Sequence, residues 1–309
     1  MTPLRSIALA LDRRLPFDLR AAKWRAGEVA KGTLGLAARF GGLWFLARHT
    51  YLRGKVGILV YHDPTPEALG RHLAFLSRRY RFITLDVLVD AVRGGDWSSV
   101  PPRSLVVTLD DGWRGNRELL DVFARYGLTP TIFLCTQIVG TRRGFWWHGL
   151  DAPTRHRLYR VSNRERLEIL RSELGFDQTA EKDGDAHALA RVDLEAMRGA
   201  VDFQPHTRFH PRLPTCDDAE AEAEIAGSRG DFPTLTGTEG KHFSYPFGLY
   251  GDRDVALVRS AGYESARAFS GGFNDARTDP YELRGVGVRD NSSLSMLAAT
   301  LTFPGLAPL

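Results

Sequence analysis

The 309-residue sequence predicts an α/β fold built on parallel strands. Three observations carry that expectation. From residue 55 onward, short continuous apolar runs alternate with segments of helical spacing. The apolar runs read as strands buried on both faces, as in parallel sheets covered by crossover helices. The composition, 43% hydrophobic and 25% charged, belongs to a globular chain able to bury a sizeable core. The length fits two domains or one α/β barrel, and the β-α order alone allows a barrel or an open doubly wound sheet.

The elements follow in order. Residues 56–61 (VGILVY) form the first strand, and 67–80 a helix whose Leu69, Leu73 and Leu76 recur on one face. Residues 104–109 (SLVVTL) are a second buried strand, followed by a helix over 118–126 that ends at Gly127. Residues 131–136 (TIFLCT) are a third strand. The stretch 140–200 is long and polar and reads as an insertion. It carries the aromatic cluster Phe145, Trp146 and Trp147, either packing under a loop or a stacking surface for a sugar ring. Within it, Ser162 and Glu165 start a helix over 162–174 with a capping box, and Thr215 with Asp218 repeats the signature before a helix through Ile225. Later strands are expected over 242–247, 265–269 and 283–288, with helices over 252–260 and 294–301.

The net charge of +4 hides an asymmetry. Residues 1–55 hold eleven basic and three acidic residues, whereas the remaining 254 hold 30 basic and 34 acidic. A nucleic-acid reading would rest on the leading segment alone, and none is adopted. The two cysteines, Cys135 and Cys216, form no CxxC pair, which excludes a cysteine-based zinc or redox motif and favours free thiols. The first thirty residues alternate charge and apolar residues too often for a signal peptide. No run of about 18 uncharged apolar residues is present. The expectation is a cytoplasmic protein, peripheral to the inner face of a membrane.

Three stretches carry chemistry. Thr108-Leu109-Asp110-Asp111-Gly112 ends a buried strand, where ligands gather in parallel α/β folds. Two adjacent carboxylates there repel, so at least one wants a cation or a proton. His206-Thr207-Arg208-Phe209-His210-Pro211 sets two imidazoles four residues apart, and Pro211 disfavours a helix, so a tight turn is expected. One Asp and two His with water is an open catalytic metal set. Ser244-Tyr245-Pro246-Phe247-Gly248 exits another apolar strand in a sharp turn able to aim a backbone N–H into a site.

Together, in this order, the three stretches resemble the polysaccharide deacetylase family (carbohydrate esterase family 4). TLDDG at 108–112 matches its TFDDG motif with one conservative change, His206, Thr207 and His210 match H-[ST]-x-x-H, and 244–248 stand for its R-x-P-[YF]-G turn. The strand ending Val60-Tyr61-His62 resembles the start of the family's domain. The resemblance spans about residues 55–290. It implies a deformed (β/α) barrel and metal-dependent removal of an N-acetyl group from an amino sugar in a polysaccharide or glycan precursor. By motif, Asp110 is the general base on a metal-activated water. Asp111, His206 and His210 hold a divalent metal, zinc by expectation. The Phe247 backbone N–H stabilises the oxyanion, with Tyr245 beside it facing substrate.

Two departures stand out. The arginine of the third motif is Ser244, as in the subgroup resembling poly-N-acetylglucosamine deacetylases, so Asp110 must be tuned by another group. The family's late L-x-H acid is missing, since no histidine follows His242. His62 is taken as the substitute acid, and 284–290 is where the lost motif would stand. The domain expectation is a basic, partly amphipathic extension over 1–54 and a catalytic domain over 55–309. In the extension, Leu36, Phe40, Leu43, Trp44 and Ala47 recur at helical spacing, either packed on the barrel or lying on anionic lipid through residues 1–50. The competing functions are a deformylase or non-sugar amidohydrolase on the same site, and a catalytically silent glycan-binding module. The lipid reading fits a lipid-linked glycan substrate; the oligomeric state is left open.

Overall fold

The computed structural model describes residues 41–182 and 186–304, together with Leu36. Most of the leading segment, including Phe40 of its apolar stripe, lies outside the described residues. The first described helix, α1 (Leu43–His49), buries Trp44 and Arg48 against the body and leaves Leu43, Phe45 and Leu46 exposed. One stripe of the expected amphipathic face therefore packs, while its neighbours do not.

The barrel strands in chain order are β1 (Gly57–Tyr61), β2 (Arg81–Phe82), β3 (Ser104–Leu109), β4 (Thr131–Leu134), β5 (Asp202–Pro205), β6 (His242–Ser244), β7 (Ser265–Ala268) and β8 (Leu283–Gly287). Seven of them run β5-β4-β3-β1-β8-β7-β6, with the short β2 beside β3, and every pairing is parallel. The sheet curls until β5 and β6 face each other, a nearly closed barrel. Side chains bridge the seam. The Gln204 Oε1 accepts from the N–H groups of Lys241 and His242, both at 2.8 Å, and the His206 Nδ1 lies 2.7 Å from the Ser244 carbonyl oxygen.

Alternation along the strands sets two layers. Ile58, Val60, Val106, Phe133 and Leu283 cluster with Leu85, Leu88, Val89 and Val92 of α3 (Leu85–Gly94). The intervening Leu59, Tyr61, Leu105, Val107 and Leu109 cluster with Leu69, Leu73 and Leu76 of α2 (Pro66–Ser77) and with Leu297, Ala298 and Leu301 of α10 (Leu294–Thr302). Between these lie α4 (Leu120–Arg125), α5 (Ala152–Leu158), α6 (Asn163–Ser172), α7 (Arg191–Met197), α8 (Asp218–Thr236) and α9 (Asp252–Ser260). Helices α5, α6 and α7 fall inside the expected insertion.

Several expected boundaries move. The helix expected through Ile225 continues to Thr236, capped by Asp217 and Glu220 in place of Thr215 and Asp218. Glycines 227 and 230 and Pro233 look like breakers in sequence, yet the buried Phe232 holds the last turns against the barrel. The strand expected over 242–247 ends at Ser244, and Pro246–Gly248 form a 3-10 turn. Both cysteines are free and buried. Among the described residues no helix is long and apolar enough to cross a membrane.

Candidate active site

The barrel brings the three stretches together at the C-terminal ends of β3, β5 and β6. Asp110 directly follows β3, and its N–H bonds the Tyr61 carbonyl at 3.0 Å. Asp111 then takes a left-handed φ of 75°, and Gly112 one of 78°. A Cβ on Gly112 would come within 2.8 Å of side-chain atoms of Val139 and Leu134, so this position needs glycine for both conformation and space. The insertion grips the same turn from outside, with Leu189 N–H bonding Gly112 O at 2.9 Å and Arg114 N–H bonding His187 O at 2.8 Å.

Five described non-glycine residues have positive φ, and four of them stand here: Asp111, Thr207 (62°), His210 (57°) and Phe247 (58°). Such backbone costs about 1–3 kcal/mol each and persists where the surroundings over-determine it. The supports are visible. Thr207 Oγ1 accepts from His210 N–H at 3.0 Å, and the buried Glu224 on α8 accepts from the N–H groups of Arg208 and Phe209 at 2.8 and 2.9 Å. The His206–His210 segment is thus a pinned turn, as Pro211 predicts.

Asp111, His206 and His210 converge, with one ligand atom from each within 4.8 Å of the others and all three buried. Asp111 Oδ1 lies 3.6 Å from His206 Nε2 and 3.3 Å from His210 Nε2. The His206 Nδ1 donates to the Ser244 carbonyl, which can only accept, so its Nε2 carries the lone pair. The Trp113 indole N–H donates to Asp111 Oδ2 at 2.8 Å, whereas the buried Oδ1 has no hydrogen-bond partner. Burial pushes the Asp111 carboxyl up and both imidazoles down, and neutral imidazole is the form that binds metal. An orphaned buried carboxylate oxygen facing two imidazole nitrogens fits a divalent cation with an open position. Trp113→Phe should keep the ring packing on Phe145 and weaken zinc affinity about 10- to 100-fold. Calorimetric titration of zinc into the apoprotein checks this, and an unchanged affinity would dismiss the indole bond.

Asp110 meets a group the sequence reading missed. Arg267 on β7, fully buried, donates through Nη2 to both Asp110 carboxylate oxygens and to Ser244 Oγ. Ser244 and Arg267 are register partners across β6 and β7. An arginine one strand over thus pairs with Asp110, beside the Ser244 that stands at the arginine position of the third motif. Burial alone would raise the Asp110 carboxyl, but Arg267, with His206 and His62 adding to it, holds it below the ordinary carboxylate range. The signal in sequence was a charged residue inside the small, apolar run SARAF, where only a paired charge belongs.

The cleft above these groups measures about 570 Å³. Its lining includes His62, Phe269, Phe247 and Trp147, with Arg155 and Tyr159 of the insertion, the Tyr159 ring 5.3 Å from that of Phe247. Of the aromatic cluster, Phe145 and Trp146 are buried, and Trp146 N–H fixes the His210 carbonyl at 3.0 Å. Trp147 and Phe247 pack their rings 4.4 and 4.7 Å from the His210 ring. Asp290 accepts from His62 and Asp63 N–H, each at 3.1 Å, so the expected late-motif region holds the loop of the expected acid. Tyr245 does not face the cleft. Its ring is buried against Tyr250, and its hydroxyl donates to Tyr281 O. Gly248 (φ 63°) leaves no room for a Cβ against the Phe269 backbone, which keeps the Phe247 turn tight.

Residues 98–266, more than half of the chain, match the family model described as polysaccharide deacetylase. No curated protein matches the chain. Among solved structures, a Streptococcus pyogenes deacetylase in complex with acetate has a TM-score of 0.59 at 16% identity, over 80% of this chain and 98% of that one. IcaB from Ammonifex degensii reaches 0.58 at 15% identity, over 80% and 97%. A polysaccharide deacetylase from Bacillus cereus reaches 0.56 at 18% identity, over 81% and 69%. At these identities the likeness shows the shared barrel.

Proposed function

Because this chain belongs to the polysaccharide deacetylase family, a family of amide-bond hydrolases, we propose that it removes N-acetyl groups from amino sugars by a metal-dependent mechanism. The catalytic unit is residues 55–309. The observation that carries the reading is Asp111 Oδ1, buried without a hydrogen-bond partner and facing His206 and His210, beside an Asp110 kept anionic by Arg267. A divalent cation held by Asp111, His206 and His210, zinc by donor type, would polarise the amide carbonyl and lower the pKa of water.

The protein's own groups do the rest. Asp110 takes the proton from the attacking water, and Arg267 keeps it aimed and ionised. The Phe247 backbone N–H donates to the oxygen as it gains charge. His62, on the cleft wall, gives a proton to the departing amine so that it leaves neutral. Trp147, Phe247 and Phe269 offer apolar faces to a sugar ring.

The site of action belongs to the same proposal: cytoplasmic, at the inner membrane face, on a glycan or lipid-linked precursor. The basic residues 1–50 and the exposed Leu43, Phe45 and Leu46 support membrane contact, and two free thiols suit a reducing compartment. The decisive experiment is acetate release from N-acetylglucosamine oligomers and polymers. Activity should vanish with chelator and return with zinc. Release of formate from formylated substrates alone would mark a deformylase. Glycan binding with no release under any metal would mark a silent module.

A further inference from the structure

A second cavity, of about 610 Å³, opens between α1 and α2, outside the barrel and apart from the residues of the active site. Its charged lining among the described residues is Arg48, Arg71, Arg78 and Arg79, with no carboxylate among those residues. Among the described residues none of the four has an acidic partner within ion-pair distance; Glu67, one turn before Arg71 on the exposed face of α2, interacts with it through the Coulomb field alone. Arg48 is the anomaly. It is 8% exposed, its guanidinium sits 4.7 Å over the Trp44 ring, and its Nε has no hydrogen-bond partner. Arg79 covers the other side of the same aromatic wall, 4.5 Å over Phe75, which stacks on Trp44 at 4.8 Å.

Burying a guanidinium with an unmet donor is unfavourable, and gathering like charges around it adds repulsion. Burial pushes the Arg48 guanidinium down, and Arg79 and Arg103 push the same way. A bound anion would relieve both terms. Guanidinium forks match phosphate oxygens, and an aromatic floor supports their planes. The rim indicates where that anion comes from. Phe45, which also lines the cavity, is 60% exposed, and Leu46 and Tyr51 are 57% and 59% exposed nearby. Soluble phosphates have no use for an exposed apolar ridge, whereas a bilayer buries it while presenting phosphate at the same depth.

We propose that this arginine cavity is a headgroup site for an anionic phospholipid, seated by α1 on the membrane surface. The proposal rests on the membrane-contact reading above and gives it a specific residue set. The test is flotation of the full chain with phosphatidylcholine vesicles, with and without phosphatidylglycerol. Wild type should float only with phosphatidylglycerol present. Arg71→Ala with Arg78→Ala should weaken partitioning about fivefold per arginine, roughly 25- to 30-fold together. The same double variant should deacetylate a soluble oligomer at the wild-type rate, which also shows that it is folded. Arg164→Ala with Arg171→Ala, an equal charge loss on the insertion, should float as wild type does. If the Arg71/Arg78 variant floats like wild type, or both double variants weaken equally, the cavity assignment fails while membrane contact stands. If wild type ignores all vesicles, both fail. Arg48-dependent binding of glycerol 3-phosphate, or of RNA, without vesicle binding would assign the cavity to another anion and overturn the lipid proposal.

Discussion

Arg267→Leu should destabilise the fold by about 3–5 kcal/mol and strip most of the activity from what remains folded. The stability loss arises because Asp110, 4% exposed, loses its buried cation and must either hold an uncompensated charge or take up a proton. The activity loss has a definite sign. Burial raises the Asp110 carboxyl, and Arg267 is the largest influence holding it down. Without Arg267 the carboxyl rises, so at a fixed pH a smaller fraction is in the base form. The acidic limb of kcat/KM against pH should therefore move to higher pH, and the variant should recover part of its rate as pH rises. Each unit by which the limb passes the assay pH costs about tenfold. Arg267→Lys should rescue poorly, because a single ammonium does not reproduce a planar donor shared among two carboxylate oxygens and Ser244 Oγ. An acid limb that stays put in Arg267→Leu would show that another group tunes the base.

Asp110→Asn should cost about 10²- to 10⁴-fold in kcat while leaving zinc stoichiometry unchanged. Asp111→Asn should do the reverse, losing metal first and activity as a consequence. The contrast separates two neighbouring carboxylates that the sequence motif presents as one unit. The structure gives them different partners, Arg267 for Asp110 and Trp113 for Asp111. Retained activity in metal-replete Asp110→Asn would remove Asp110 as base. His62→Ala belongs in the same series, since a proton donor to the leaving amine should affect the alkaline limb, and a full rate across pH would end that assignment.

Much of the site was legible because its residues lie close together in sequence. The Asp110-Asp111-Gly112 turn, the His206–His210 spacing and the Pro246–Gly248 turn each carry their own local chemistry. The supporting groups were not legible, because they reach the site from other elements. Arg267 arrives through the β6–β7 register, Glu224 from the face of α8 that packs on the His206–His210 turn, and Trp113 and Trp146 through packing of the insertion. Strand β5 was missed for a related reason. Its Asp202 and Gln204 are polar because Gln204 serves the barrel seam, where side chains take over from a backbone ladder.

By itself the sequence determined the alternation of buried strands and helices, the residue types of the candidate metal site and the tight turns that carry them. Hydrophobic period, capping residues and Pro–Gly punctuation act over a few residues and can be read one window at a time. The motif resemblance already implied the barrel that the β-α order left open; only the tertiary structure supplied Asp110 with Arg267 and turned Tyr245 into the core. It also gathered Arg48, Arg71, Arg78 and Arg79 around one cavity. These outcomes depend on which strands become neighbours and which side chains share a desolvated space. Coulomb and desolvation energies follow spatial separation and burial, which no local pattern encodes.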